Sequence, residues 1–225
     1  VIPLREDFSL DYRDYCGLHE NIVIANPNAP TGILLPVWQI EEIVRSNPHN
    51  VVLIDEAYID FGGQSCVPLI HKYDNLLVAQ TFSKSRSLAG ARLGFGIASS
   101  QLIADLNTIK YSVNPYNVNR MTQAAGIAAM DTDAYYKDNC RSIMENRAYT
   151  TRRLEEMGFC VLPSSANFIF ARHPRMSGEA LYLRLKEKAI LVRHFKTARI
   201  ADFVRITIGT KAQMDILLRA VSQLL

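Results

Sequence analysis

The sequence predicts an α/β protein, with a large, mostly parallel-sheet part and a smaller α+β part at the C-terminal end. Through the first half, short apolar runs alternate with an amphipathic stretch of helical period. From about residue 117 the pattern changes to long helices followed by short strands. Turn sequences rich in Asn, Pro and Gly separate the runs. We therefore divide the chain into residues 1–117 and residues 118–225.

The first part is predicted to contain strands that are buried on both faces between helices, because their apolar runs carry few charges. The predicted elements are strands at Ile22–Ala25, Val51–Ile54, Leu76–Gln80 and Gly94–Ala98, and a helix at Pro36–Ser46. A polar side chain directly after such a strand lies at the edge where α/β sheets bind ligands.

The second part is predicted to open with two long helices and to continue as a small sheet with two further helices. Gly158 and Gly209 lie where a helix end and a strand end are expected. The predicted helices are Val118–Met130, Ala134–Met157, Gly178–Lys188 and Lys211–Leu224, and the predicted strands are Phe159–Leu162, Asn167–Ala171, Ile190–Arg193 and Phe203–Ile208.

Composition excludes several classes of function. The 225 residues are 48% hydrophobic and carry a net charge of +3, which argues against nucleic acid or an anionic membrane as the main partner. No apolar run reaches the roughly 18 residues of a membrane-spanning helix. The cysteines Cys16, Cys66, Cys140 and Cys160 lack metal or disulfide spacing, which predicts free thiols in a reducing cytoplasm and no metal site. We expect a small-molecule ligand.

The most informative segment begins at Thr81 and lies between two predicted strands. It contains hydroxyls at Thr81 and Ser83, the amine of Lys84 and, eight residues later, the guanidinium of Arg92. Hydroxyls and a guanidinium that converge on one point make an anion site. A desolvated lysine beside that anion can lose its proton and attack a carbonyl. A ligand with a phosphate and an aldehyde, namely pyridoxal 5′-phosphate, meets both requirements, and a basic surface loop is the alternative.

A second segment, residues 51–58, places Asp55 at the end of a buried strand. A carboxylate there can pair with the ring nitrogen of a pyridine cofactor and keep it protonated. Tyr58, three residues later, can donate its phenol to the ring oxygen. A single Asp at a strand end is more often a helix cap. The 29 residues between Asp55 and Lys84 correspond to one strand–helix–strand unit and favour the cofactor role.

Together with the loop Asn26-Pro27-Asn28-Ala29-Pro30-Thr31-Gly32, these segments resemble the fold-type I pyridoxal-phosphate-dependent aminotransferases. The resemblance implies that Lys84 binds the cofactor aldehyde covalently and then carries a proton between the substrate Cα and the cofactor C4′. It also implies that neighbouring side chains hold the cofactor: Asp55 at the pyridine nitrogen, Tyr58 at the ring hydroxyl, and Thr81, Ser83 and Arg92 at the phosphate.

The loop departs from the family pattern at one position. The family usually has Asn directly before Pro-Thr-Gly, where it contacts cofactor and substrate, whereas this chain has Ala29 there and Asn28 one residue earlier. Either Asn28 makes the contact through a shifted loop, or the contact is lost.

The C-terminal part narrows the resemblance to the histidinol-phosphate aminotransferases. The segments that carry it are Ser165–Ile169, Ala189–Phe195 and Asp202–Thr210. By that resemblance Arg205 binds the anionic end of either substrate, Arg193 helps to bind the second anion, and Asn167 lines the pocket. Two arginines on neighbouring strands suit a site that accepts two dianions in turn, and a surface ion pair is the alternative for each arginine.

The resemblance implies a cytoplasmic, homodimeric enzyme of histidine biosynthesis that transfers an amino group between histidinol phosphate and 2-oxoglutarate, with glutamate as the other amino acid. Another fold-type I enzyme, such as threonine-phosphate decarboxylase or an aromatic aminotransferase, is one alternative. An inactive structured fragment is another, because the family's phosphate-cupping loop, ring-stacking aromatic residue and partner-donated tyrosine precede the part that matches Val1. For this chain alone we expect weak cofactor binding and no turnover.

Overall fold

The structure, a computed structural model, describes residues 1–225 and contains two four-stranded sheets. The first sheet has the order β1 (Ile22–Ala25), β2 (Val52–Asp55), β3 (Leu76–Thr81) and β4 (Gly94–Ala98). Strands β1, β2 and β3 are parallel, and β4 runs antiparallel to β3. The carboxyl ends of the three parallel strands therefore meet at one edge of the sheet.

Helix α1 (Val37–Ser46) covers one face of this sheet. Its buried residues Ile40, Ile43 and Val44 follow helical spacing and pack against the apolar side chains of β1, β2 and β3. The alternate residue Val23 is 69% exposed, and the first three residues of β4 are exposed as well. The prediction that these strands are buried on both faces is therefore wrong for β1 and β4, because α1 covers one face only and β4 is an edge strand.

Three helices follow the first sheet: α2 (Ser100–Val113), α3 (Arg120–Asp131) and α4 (Asp133–Glu156). The last two lie where the sequence predicts helices. Helix α2 was not predicted, although its apolar residues Leu102, Leu106 and Ile109 recur at helical spacing, and the structure leaves all of them outside the buried core. Its N-terminus is capped by Ser99, whose side chain accepts a hydrogen bond from the amide of Leu102.

The second sheet is antiparallel throughout, with the order β5-β6-β8-β7. Its strands are β5 (Cys160–Val161), β6 (Phe168–Arg172), β7 (Arg193–His194) and β8 (Phe203–Thr207), and its helices are α5 (Gly178–Glu187) and α6 (Lys211–Ser222). The predicted strand Ile190–Arg193 is misplaced. Ala189 adopts a φ of 59°, and the amide of Ile190 bonds back to the Leu185 carbonyl, so this segment closes the C-terminus of α5.

The two faces of the second sheet have different neighbours. Ile169, Ala171, Val204 and Ile206 alternate along β6 and β8 and belong to a buried core shared with α4, α5 and α6. The intervening residues of these strands, which include Arg205, lie on the other face. There Phe168 of β6 contacts Tyr58 of the first part. The second sheet thus presents aromatic and charged side chains to the first.

The two parts are joined by buried polar contacts around Arg147 of α4. Its Nη1 donates to the carbonyl oxygens of Phe61, at 2.8 Å, and Ala166, at 2.5 Å, one in each part. Burial lowers the pKa of the Arg147 guanidinium from its usual value. Nearby, Gly32 has a φ of 82°, and a Cβ on it would lie 2.3 Å from Ser164 Oγ, so only glycine permits this close approach.

No helix has both the length and the apolar character that crossing a bilayer requires.

Replacing Arg147 with Ala removes the donor shared by two buried carbonyl groups, each worth about 1.5–3 kcal/mol with a charged partner. We expect the free energy of unfolding to fall by about 3 kcal/mol, measured by urea denaturation. Arg153→Ala, on the same helix but paired with Glu156 in solvent, is the control and should change it by less than about 0.5 kcal/mol. Equal effects in the two variants would show that the Arg147 bridge does not stabilise the fold.

Candidate active site

The loop between β3 and β4 begins with two adjacent hydroxyl groups. Thr81 Oγ1 lies 3.0 Å from Ser83 Oγ and 3.2 Å from the Leu93 carbonyl oxygen, and the Ser83 amide donates to Thr81 Oγ1 over 3.1 Å. Lys84 follows directly and is half-buried, with Nζ 5.1 Å from the ring centroid of Tyr58. The lysine, the phenol and both hydroxyls predicted from the sequence therefore lie in one region, at the carboxyl ends of the parallel strands.

Asp55 is the last residue of β2 and pairs in register with Ala25 and Ala79. Its side chain is exposed, and Oδ1 accepts a hydrogen bond of 3.0 Å from the Ala57 amide. The carboxylate keeps acceptor positions for a further donor. It is thus placed at the sheet edge, as the sequence predicts for a ligand-binding acid.

Glu56 was not predicted as a site residue. Its side chain points into the core, on the opposite side of the strand from Asp55. It is 1% exposed, and its carboxylate accepts hydrogen bonds from the Cys66 amide at 2.6 Å, Ser65 Oγ at 2.6 Å and Gln80 Nε2 at 2.8 Å. Burial, followed by the charge of Glu56, raises the pKa of the Cys66 thiol. The two-residue period of β2 could have found this acid, because every second side chain of a strand shares one face.

A row of two aromatic rings connects Lys84 with Arg205. The rings of Tyr58 and Phe168 meet edge to face, with centroids 5.1 Å apart and an interplanar angle of 87°. Lys84 lies over the Tyr58 ring, and Arg205 Cζ is 5.0 Å from the Phe168 ring centroid. Phe168 was not predicted as a site residue, since its role depends on a contact between the two parts of the chain.

The two predicted substrate arginines face each other across neighbouring strands. Arg193 of β7 and Arg205 of β8 are register partners, an arrangement that places like charges directly opposite. Arg205 Nε is buried without a hydrogen-bond partner. An unpaired buried donor costs about 1–3 kcal/mol, so this position favours an anion. Asn167 is half-buried directly before β6, and its carbonyl accepts a bond from the Ile208 amide.

Two further predicted residues make local contacts only. Asn28 Oδ1 accepts a hydrogen bond of 2.8 Å from Thr31 Oγ1 within the Pro-Thr-Gly loop. Arg92 is exposed, has a φ of 54°, and donates to the Ala89 carbonyl over 3.3 Å. The structure therefore brings Thr81, Ser83 and Lys84 together, whereas the hydrogen bonds of Asn28 and Arg92 stay within their own loops.

The chain matches the class I and II aminotransferase family over residues 1–221. The histidinol-phosphate aminotransferase of Brachyspira hyodysenteriae is 51% identical over 225 residues, which are all of this chain and 64% of that protein. The crystal structure of the histidinol-phosphate aminotransferase from Clostridium acetobutylicum matches with a TM-score of 0.89 and 28% identity, over 98% of this chain and 69% of that one. The chain thus spans less than two thirds of the length of the curated relative.

A third match concerns the fold alone. The histidinol-phosphate aminotransferase of Sinorhizobium meliloti, solved in complex with pyridoxal 5′-phosphate, has a TM-score of 0.83 and 24% identity, over 100% of this chain and 64% of that one. The two sheets and their helices therefore form part of a fold-type I structure.

Replacing Glu56 with Gln puts an amide nitrogen among three donors and leaves a buried contact unpaired. We expect the free energy of unfolding to fall by about 2–3 kcal/mol in chemical denaturation. The matched change one residue earlier, Asp55→Asn, alters an exposed carboxylate and should cost less than about 0.5 kcal/mol. A larger loss for Asp55→Asn would reverse the structural and functional roles that we assign to the two acids.

Proposed function

Because the chain belongs to the class I and II aminotransferases, we propose that the protein transfers an amino group between histidinol phosphate and 2-oxoglutarate with pyridoxal 5′-phosphate as cofactor. The proposal rests on the position of Lys84. It follows the hydroxyls of Thr81 and Ser83, and the rings of Tyr58 and Phe168 lie between it and Arg205. The relative at 51% identity, a histidinol-phosphate aminotransferase, supports the choice of substrate.

The residues present fit the cofactor at both of its polar ends. The adjacent hydroxyls of Thr81 and Ser83 offer donors for a phosphate at the start of the Lys84 loop. The exposed carboxylate of Asp55 suits a protonated pyridine nitrogen. The proposed cofactor-binding residues also include Arg92, which would bind the phosphate, and Asn28, which would contact the ring.

When bound, pyridoxal 5′-phosphate supplies an aldehyde that takes up the amino group and a ring that accepts the electron pair left by a departing proton. Lys84 would act as the base that removes the proton from the substrate Cα and returns it at C4′ of the cofactor, the carbon on the other side of the amino nitrogen. Tyr58 would donate a hydrogen bond from its phenol to the ring hydroxyl of the cofactor. Its ring also limits the space around Lys84 Nζ. Asp55 favours the electron-accepting form of the ring by stabilising its positive charge.

The substrate end of the site selects doubly charged anions. Arg205 is held over the rings of Phe168 and Phe195, and its buried Nε lacks a hydrogen-bond partner, which favours an anion beside this guanidinium. Arg193, opposite Arg205, supplies a second cation, and Asn167, which lies directly before β6, is the third residue proposed for this pocket. An anion between the arginines would relieve their repulsion, which favours phosphate-bearing and dicarboxylic substrates over neutral ones.

A homodimer and a cytoplasmic location belong to the same proposal. Large apolar side chains are exposed along α2 and α3, among them Tyr111 at 64%, Met121 at 82% and Ile127 at 64%. Several large exposed apolar side chains on one protein are typical of an interface. All four cysteines are free, which fits a reducing compartment. Analytical ultracentrifugation of the protein at its natural length should show a dimer, and a monomer would contradict this.

Replacing Lys84 with Ala should abolish covalent attachment of the cofactor in the protein at its natural length, because no other amine is placed at this loop. The measurement is the visible absorbance of the bound cofactor, followed by borohydride reduction and mass mapping of the labelled peptide. Lys188→Ala, an exposed lysine of the second part, should retain both signals. A borohydride-reducible adduct in Lys84→Ala would contradict the assignment of Lys84 as the lysine that binds the cofactor.

The same protein should transfer the amino group of glutamate to imidazole-acetol phosphate. Release of carbon dioxide from phosphothreonine instead would identify it as a decarboxylase.

Removing the Arg205 charge should weaken the binding of both anionic substrates. A lost charged hydrogen bond of about 1.5–3 kcal/mol corresponds to a rise in KM of roughly 10- to 100-fold for Arg205→Gln, for glutamate and histidinol phosphate alike. Arg172→Gln, an exposed arginine on the same sheet, is the control, and both KM values should stay within about twofold. A rise confined to one of the two substrates would exclude a shared anion site at Arg205.

A further inference from the structure

The two residues that follow Lys84 are both tied to other elements by their side chains. Ser85 Oγ donates to the carboxylate of Asp60, in the short 3-10 helix Ile59–Phe61. Arg86 Nη2 pairs with Oδ1 of Asp133, the first residue of α4, at 2.6 Å. The backbone of the Lys84 loop is therefore fixed from its C-terminal side by two separate anchors.

Among the ion pairs on α4, the Arg86–Asp133 pair is the one most shielded from solvent. The Arg86 side chain is 17% exposed, and its guanidinium stacks over the Tyr136 ring at 5.4 Å. Asp133 is shared with Lys137, also at 2.6 Å, and Lys137 and then Arg86 hold the pKa of Asp133 below its usual range. The pair is therefore ionised at neutral pH, with the geometry of Arg86 set by both a charge and a ring.

Phe82 is buried at the start of this segment, but Ser85 and Arg86 border open space. The space between the Lys84 loop and α4 is a cavity of about 320 Å³, bordered by Asp60, Ser85, Arg86, Tyr136 and Cys140 among others. Arg86 Nη1 is buried without a hydrogen-bond partner, so the arginine is not arranged for the most stable fold. Where side chains do not fill the space, the polar anchors determine where the loop lies.

We propose that Arg86, through Asp133, is a positioning residue that holds the Lys84 amine in line for proton transfer; the inference rests on the proposed function. Helix α4 carries Asp133 at its first turn and Arg147 further along, where Arg147 joins the two parts of the chain. One helix thus sets both the lysine loop and the sheet that bears Arg205. A displacement of the amine by a fraction of an ångström slows a transfer that depends on near-attack geometry.

The test uses the cofactor-loaded protein at its natural length, with Arg86→Gln, Asp133→Asn and the double variant. Asp138→Asn is the matched control, because Asp138 lies on the same helix and pairs with Arg141 in solvent. We expect kcat for amino transfer from glutamate to fall about tenfold in either single variant and no further in the double variant, with KM within about threefold. Arg86→Lys should restore part of the rate.

Two readouts separate positioning from simple loss of stability. With α-deuterated glutamate, the isotope effect on kcat should rise in Arg86→Gln and Asp133→Asn, since proton transfer becomes slower than the other steps, and should not change in Asp138→Asn. Amide hydrogen exchange of residues 82–88 should quicken in the same two variants.

An isotope effect and kcat equal to the wild type in Arg86→Gln and Asp133→Asn would overturn the positioning role. A wild-type protein that takes up no cofactor would overturn the proposed function instead. In that case the hydrogen-exchange comparison still tests the anchoring itself, and unchanged exchange in both variants would refute it.

Discussion

The half-buried guanidinium of Arg147 makes the contact on which the rest of the structure depends. A desolvated charge is expensive, and here it is satisfied by the carbonyl groups of Phe61 and Ala166, one from each part of the chain. Phe61 closes the turn that carries Tyr58, and Ala166 precedes Phe168 by two residues. The bridge therefore determines how far Tyr58 stands from Phe168, and with it the distance between the two halves of the site.

The two halves of the proposed site are positioned by two different kinds of sheet. The edge of the parallel sheet supplies Asp55 and Lys84, because the carboxyl ends of parallel strands collect loops on one side. The antiparallel sheet supplies Arg193 and Arg205, because residues in register on neighbouring strands project together. Neither sheet alone holds both the nucleophilic amine and the arginines proposed for the anionic end of the substrate. The chemistry proposed here requires the two sheets to be held at a fixed separation.

Much of this arrangement could be predicted from the sequence, since it follows from local rules. The strands of the first sheet are apolar runs that end in turn residues, and the spacing of Asp55 and Lys84 matches one strand–helix–strand unit. Helix α2 was not predicted although Leu102, Leu106 and Ile109 recur at helical spacing, and the structure buries none of these side chains. The strand at β7 was misplaced because Ala189 adopts a left-handed conformation without being glycine.

The site residues that the sequence did not reveal owe their roles to contacts across the fold. Phe168 matters because Tyr58 and Arg205 lie on either side of it, and these three residues come from three distant segments. Glu56 follows Asp55 directly, yet the pleat sends one carboxylate to solvent and the other to the core. Composition treats the two acids alike, whereas the two-residue period of the strand separates them, because it places Glu56 on the buried face with Val52 and Ile54.

The facing arginines have a consequence for the protein as a whole. Two cations directly opposite each other in register repel, and a bound dianion would offset that repulsion as their counter-ion. Folding and ligand occupancy are then thermodynamically linked, so that the concentration of phosphate or dicarboxylate around the protein acts as a variable of its stability. For a protein with the proposed activity, Arg193 and Arg205 would make the fold most stable when its anionic substrates are abundant.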